Sequence, residues 1–352
     1  MMSEKLGKIA EAELEGFILE NCGHTRKEVS TKPEFGVDVS LIELPNELAL
    51  ISTSDPLSLI PTLGLEESAW LSVHLMANDM ATTGFAPQYA QMVLNLPASL
   101  SRNDFKTYWN YIHQFSKEIG VAITGGHTGF VEGQNSTISG GGTFFSVAPK
   151  KEIILSKAAE ENDVILVTKT CALSSSALLT LSFPETIKNK LGKGTYTAGR
   201  EMFWQTSSLK DGLTAAGTGS KFPEIHAMHD VTEGGVLGAI YEMVKASGKG
   251  AIIYDKALPV TSWQKEVCDL FQLDYREIIG AGSMIISCEK GKEEQVISRL
   301  NAENIACTAV GEIKSEEEGI KIAKNDEIKD LEYKSEDPYW KAFFTAIKSG
   351  WK

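Results

Sequence analysis

The segment His229-Asp230-Val231-Thr232-Glu233-Gly234-Gly235 restricts this chain more than any other. It runs into Leu237, Ile240, Tyr241 and Val244 at helical spacing, with Gly248 beyond, which predicts a helix opening on two glycines. Each glycine there costs about 1 kcal/mol relative to alanine. Two readings of that cost stay open. In one, Asp230 or Thr232 caps the helix and Glu233 reaches back to complete a capping box. In the other, the glycines let a phosphate approach the helix N-terminus, and Asp230 then needs a divalent cation between itself and the anion.

A second glycine-rich stretch, Thr124-Gly125-Gly126-His127-Thr128-Gly129, follows a short strand over Val121 to Thr124. It reads either as a tight strand exit or as a turn whose amides and Thr128 hydroxyl face an anion. His127 reads as a structural histidine or as a base. The acids add to this. Asp38 lies in Phe35-Gly36-Val37-Asp38, Asp55 ends the run Thr53-Ser54-Asp55-Pro56, and Asn78-Asp79 sits in a helix predicted from Glu66 to Thr83. Asp79 points away from that helix's Trp70, Val73, Ala77 and Met80 face, so on its own it reads as a solvated acid. Hard oxygen donors of this kind suit Mg²⁺ bound together with substrate phosphates. His226 and His229 find no further Cys or His that would complete a zinc set.

The 352 residues carry 34 Lys and Arg against 47 Asp and Glu, a net charge of −13. That balance argues against a nucleic-acid coat, which needs clustered basic residues. It leaves room for a nucleotide held by amides and a cation. No run of about 18 uncharged apolar residues is present, so no membrane span is expected, and the N-terminal stretch lacks a signal-peptide core. Cys22, Cys171, Cys268, Cys288 and Cys307 are scattered and form no CxxC pair, which fits reduced thiols in a cytoplasmic protein.

This length predicts two domains, divided at Ala148-Pro149-Lys150-Lys151 into residues 1–150 and 151–352. The first half alternates strands at Leu48–Thr53, Tyr89–Leu96 and Ser139–Val147 with helices, one of them capped by Ser101 and facing inward through Phe105, Trp109, Ile112 and Phe115. The second half carries strands at Val164–Thr168, Ser283–Ser287 and Ala306–Val310. Helices are expected over Ser174–Leu181, Thr197–Ala216 and Lys292–Leu300. Lys324 to Lys334 reads as a solvated charged segment, and the aromatic stripe Tyr339, Trp340, Phe343, Phe344, Ile347 and Trp351 as packed core, a dimer seam or a partner-binding helix.

Taken in order, Asp38, Ser54-Asp55, Asn78-Asp79-Met80-Ala81, Gly125-Gly126-His127-Thr128 and His229 to Gly235 resemble the AIR-synthase-related superfamily, over about Gly7 to Ile313. The most specific carriers are Asn78 to Pro87 and Met228 to Leu237. The likeness is strongest to its HypE-like hydrogenase-maturation branch. It implies an α+β, two-domain PurM-like fold of N-terminal and C-terminal AIR-synthase-type α/β sandwiches, and a homodimer whose N-terminal sheets close a barrel.

The resemblance implies ATP between the domains and Mg²⁺ on Asp38, Asp55, Asp79 and Asp230. It also implies nucleotide contacts from Asp38, Ser54, Asn78, Gly125, Gly126, Thr128, Lys169, Thr232, Gly234 and Gly235, with His127 and Asp230 at the chemistry. Such proteins transfer a phosphoryl group from ATP to an acceptor oxygen or thio group, by positioning and charge neutralisation. A maturation-protein partner is a further implication.

Departures cluster in the same cleft. Thr170 to Ser176 stands where a glycine-rich Glu-Gly-Thr element is expected, Gly129 where an acid follows the Gly-Gly-His-Thr stretch, and Asp38 where the kinase branch has two adjacent acids. HypE ends in a cysteine, whereas the last residues here are Gly350-Trp351-Lys352, so its thiocyanate chemistry is not expected on this terminus. Two other readings therefore accompany the ATP-dependent enzyme. One is a scaffold dimer that binds nucleotide without turnover. The other is a thiamine-monophosphate kinase, disfavoured by His127 where the kinase carries an acid.

Overall fold

The structure, a computed structural model, describes residues 7–9, 11–217, 221–325, 327–334 and 336–352. A single helical turn, α1 (Glu11–Glu13), continues as irregular helix to Asn21. The first unit then runs β1 (Val29–Thr31), β2 (Ser40–Leu44), β3 (Leu48–Ser58), α2 (Leu65–Ala81), β4 (Tyr89–Pro97), α3 (Arg102–Glu118), β5 (Ala122–Val131) and β6 (Ile138–Pro149).

Its sheet has the order β1-β2-β3-β6-β4-β5, antiparallel except for the parallel pair β4–β5. The alternation of β4 explains which face is covered. Ala90, Met92, Leu94 and Leu96 are buried, while Tyr89 and Val93 are 46% and 42% exposed. α2 and α3 cover the first face and the second is open. The Ser101 side chain accepts from the Asp104 amide at 3.0 Å, which caps α3, and Ile112 and Phe115 are buried on its inner face.

The second unit contains β7 (Val164–Thr168), α4 (Leu173–Ser182), α5 (Pro184–Lys190), α6 (Lys193–Phe203), α7 (Leu209–Ala216), β8 (Ile225–Asp230), α8 (Gly235–Ala246) and β9 (Gly250–Tyr254). It continues through α9 (Ser262–Leu270), β10 (Met284–Cys288), α10 (Glu293–Ala302), β11 (Cys307–Lys314), β12 (Ile320–Lys324), β13 (Glu327–Asp330) and α11 (Pro338–Lys348). The sheet order is β13-β12-β9-β11-β7-β10-β8, with β9–β12 the parallel pair. The result is a two-domain α+β fold built on two mixed sheets. β7 and β10 are buried along their whole length, as their largely apolar runs favour.

α8 packs Val236, Ile240, Met243 and Val244 on one face of this sheet. Met228, Met284 and Ile286, from the same strands, join Met76, Met80 and Leu209 in a core shared with the first unit. The five cysteines are all free thiols. Among the described residues no helix is long and apolar enough to cross a membrane.

Two expectations need correction. The helix foreseen over Thr197–Ala216 is two, α6 and α7, because Trp204 to Ser208 leaves helical geometry to bind α2: Thr206 O accepts from Asn78 Nδ2 at 3.1 Å and Ser208 N donates to Asn78 Oδ1 at 2.7 Å. The turn foreseen at Gly125 to Thr128 is the middle of strand β5. The charged stretch from Lys324 to Lys334 lies at the surface as expected, and carries β13, an exposed strand hairpinned onto β12. The aromatic tail is packed core: α11 buries Tyr339 and Phe343, and Phe343 and Trp351 flank Phe183.

Candidate active site

Four aspartates reach one buried cluster from four different elements. Asp38 lies just ahead of β2, Asp55 in β3, Asp79 in the last turn of α2, and Asp230 at the end of β8. Thr53 and Asp55, two apart on β3, share the face toward α2, and the Thr53 hydroxyl donates to Asp79 Oδ2 at 2.5 Å. The Ser156 hydroxyl donates to Asp38 Oδ2 at 2.8 Å.

Burial acts on all four, and repulsion from the other aspartates adds to it at Asp79 and Asp230. Asp55 is pushed up to about 6, by burial above all. Asp230 is pushed up to about 7 by burial and by Asp38. Asp79 is held well above the carboxylate range by burial and by Asp230, Asp55 and Asp38. Asp38 is raised as well, mainly by burial, with His229 working against the shift.

His229 supplies fixed positive charge within the cluster. Its Nδ1 donates to the Asp230 backbone carbonyl at 2.7 Å, and its Nε2 stands 3.5 Å from Asp38 Oδ1 and 3.4 Å from Glu242 Oε2. Burial alone would lower its pKa, but Asp38, Glu242 and Asp230 overcome that and hold it at about 9. Glu242 accepts from the Tyr333 hydroxyl at 2.8 Å. Against the upward pull of burial, Lys8, His229 and Tyr333 keep it down at about 2.

Carboxylate oxygens of Asp38 and Asp230 lie within 4.8 Å of each other, a spacing a single ion can bridge, with the His229 ring equally close beside them. The oxygen-rich donor set fits a hard divalent cation such as Mg²⁺, which would relieve the repulsion among the acids.

The remaining sequence candidates have other surroundings. Asn78 is fully buried and holds the 206–208 loop. Ser54 points to the opposite face of β3 from Asp55, where its hydroxyl pairs with that of Thr143 at 2.8 Å. Gly125 and His127 are in register with the exposed Gln91 and Val93, so they lie on the open face of the first sheet. Thr128, on the same edge strand, is exposed. Gly126 has φ +144°, and a Cβ there would stand 1.8 Å from the Met92 carbonyl oxygen; close strand packing by itself requires this glycine. The Lys169 ammonium is enclosed by Asp211 and the carbonyls of Gln205, Ser207 and Gly282.

The loop before α8 is closed by protein groups. Gly234 (φ +83°) and Gly235 (φ +64°) are both left-handed, and a Cβ on Gly235 would meet the Arg276 carbonyl oxygen at 2.6 Å. The Gly234 amide donates to Asp337 Oδ2 at 2.9 Å and the Gly235 amide to the Thr232 carbonyl at 3.2 Å. An anion at the Gly234 amide would have to displace the Asp337 carboxylate. Thr232 faces Lys8, whose Nζ donates to its hydroxyl at 2.9 Å.

Lys8, Glu242 and Asp337 were not singled out from the sequence. Glu242 had a signal, being the one acid inside the mostly apolar α8. Lys8 and Asp337 had none, since only tertiary folding brings the two ends of the chain to this loop.

Residues 36–146 match the AIR synthase related protein, N-terminal domain, and residues 160–323 match the AIR synthase related protein, C-terminal domain. The chain belongs to the AIR synthase related family. Carbamoyl dehydratase HypE of Escherichia coli K12 is 25% identical to this family member over 252 residues, 70% of each chain. Thiamine-monophosphate kinase of Haemophilus influenzae is 24% identical over 293 residues, 81% of this chain and 84% of its own.

Among solved structures, AaThiL complexed with AMPPCP and TMP superposes with a TM-score of 0.71 at 17% identity, covering 94% of this chain and 98% of its own. Hydrogenase maturation protein HypE in complex with ATP gives 0.65 at 17% identity, covering 93% and 95%. At these identities the superpositions establish the shared fold.

Proposed function

We propose that this AIR synthase related protein binds ATP with Mg²⁺ and activates an acceptor oxygen or thio group by phosphoryl transfer, in the manner of its HypE-like relatives. One observation carries the reading: Asp38, Asp55, Asp79 and Asp230 converge on one cluster, where burial raises the pKa of all four and the neighbouring aspartates raise those of Asp79 and Asp230 further. Isolated carboxylates buried together are costly to ionise, and a cation bound to them removes that cost. The HypE relative in complex with ATP, and the AaThiL neighbour complexed with AMPPCP, support a nucleotide as the partner of such a cation.

Bound Mg²⁺ would neutralise charge on the transferring phosphoryl group. Asp38, Asp55, Asp79 and Asp230 would be the residues to hold the ion. His229 would fix the orientation of Asp38 and Asp230 through its imidazolium. The open face of the first sheet, with Tyr89 and Val93 exposed, is the surface we assign to a homodimer.

Thermal shift with ATP, with and without Mg²⁺, followed by measurement of ADP release, tests the reading. Stabilisation that requires both ligands, with slow ADP release, is expected. A protein indifferent to nucleotide would remove the ATP site. Asp55→Asn and Asp230→Asn variants that kept wild-type Mg²⁺ dependence would remove the metal assignment. Binding without turnover would favour the scaffold reading, which the Thr170 to Ser176 departure supports: Gln264 Nε2 there donates to Thr170 Oγ1 and the Cys171 carbonyl, closing the start of α4 with protein groups.

A further inference from the structure

A lysine from ahead of the first sheet enters the acidic cluster. Residues Gly7 to Ile9 cross the loop that opens α8. The Lys8 amide donates to Glu233 Oε2 at 2.6 Å, its Nζ donates to Thr232 Oγ1 at 2.9 Å, and that Nζ stands 3.5 Å from Glu242 Oε2. Gly7 shapes the turn. Its φ is +96°, and a Cβ there would meet Glu233 Oε2 at 2.7 Å.

The other oxygen of Glu233 accepts from Trp340 Nε1 at 2.8 Å, so the carboxylate anchoring this segment is itself held by α11. Burial lowers the affinity of the Lys8 ammonium for its proton, yet Glu242, Asp230, Asp38 and Glu233 together raise it above the ordinary lysine value. Two of those four, Asp38 and Asp230, are also ligands in the metal site assigned above.

We propose that Gly7–Ile9 is a strap whose Lys8 ammonium competes with a divalent cation for the same carboxylate field, closing over the cluster without metal and opening when metal binds. This rests on the metal reading of the cluster. The physical reason is direct. A dication between Asp38 and Asp230 cancels the negative field that attracts Lys8 and adds repulsion of its own. The Lys8 side chain is 43% exposed, so it can swing out without opening the core. Its anchors are hydrogen bonds at the rim of the cluster, which water can replace.

The test titrates the full chain with MgCl2 alone, without nucleotide, in wild type and in Lys8→Met, using calorimetry. Hydrogen exchange at the Lys8 amide is followed in the wild type in parallel. Removing an internal competitor raises the fraction of binding-competent protein, so Lys8→Met is expected to bind Mg²⁺ on the order of tenfold more tightly. Exchange at the Lys8 amide is expected to accelerate when Mg²⁺ is added. Binding by Lys8→Met alone, with wild type silent, supports the strap most strongly. Equal or weaker Mg²⁺ binding by Lys8→Met, beside a wild type that binds, overturns the strap and leaves the metal site standing. No binding by either protein overturns both.

Discussion

Lys169 Nζ stands 2.9 Å from Asp211 Oδ1, and the Thr168 hydroxyl donates to the other Asp211 oxygen at 2.6 Å. Asp211 lies on α7 and is 1% exposed, and Lys169 follows β7 in a left-handed conformation at φ 55°. Such backbone costs a non-glycine residue about 1–3 kcal/mol. The ion pair, with carbonyls of Gln205, Ser207 and Gly282 around the ammonium, offsets that cost.

Lys169→Met should therefore lower unfolding stability by about 3–5 kcal/mol, because it strands a buried carboxylate. Lys169→Met combined with Asp211→Asn should recover part of the loss, and ATP affinity per folded molecule should stay within about twofold. Urea denaturation and nucleotide titration measure both. A single variant as stable as wild type, or one that loses ATP binding while stable, would show that the ammonium serves the ligand.

The two adjacent glycines of β5 should behave differently. A Cβ on Gly125 meets nothing within 4 Å, whereas one on Gly126 meets the Met92 backbone. Gly125→Ala is expected to leave stability within about 0.5 kcal/mol. Gly126→Ala is expected to cost about 2–4 kcal/mol through strand displacement. Thermal melts of the pair decide this. Equal melting temperatures would mean that the glycine is there for something other than packing.

His74 predicts an acid limb of stability. Its ring stacks on Trp70 at 3.7 Å and its Nδ1 lies 2.8 Å from Ser207 Oγ; burial and the Lys169 ammonium lower its pKa from 6.5 to about 3. Below pH 6.5 the unfolded chain takes up a proton that the folded protein refuses. Stability fully present above pH 6.5 is thus lost as pH falls toward 3, at up to about 1.4 kcal/mol per pH unit. His74→Gln, which keeps a partner for Ser207 and does not titrate, should flatten that limb by one proton. Parallel urea midpoints for the two proteins between pH 7 and pH 4 would contradict the assignment.

Much of the local structure was legible because its signals are local. Ser101 caps α3, the apolar spacing around Ile240 marks α8, and the apolar run Val164 to Val167 reads as a strand. The glycine signals were legible in position but ambiguous in meaning. A glycine answers equally to a ligand's approach and to a neighbouring backbone, and at Gly126 and Gly235 it is the backbone that comes close. Asp79 was misleading by helical spacing alone. It does leave the apolar face of α2, but it faces Thr53 of β3 rather than water.

From the sequence alone came the two-unit α+β organisation, the family, and Asp38, Asp55, Asp79 and Asp230 as the acids of interest. Periodicity and motif order are properties of neighbouring residues, so they survive without a fold. Tertiary structure decided which groups surround those acids. It brought in Lys8 and Glu242 as charged neighbours, set His229 against Asp38, and gave the Gly234 amide to Asp337. Those pairings join residues far apart in the chain, and their strength depends on burial and distance, which only the folded packing sets.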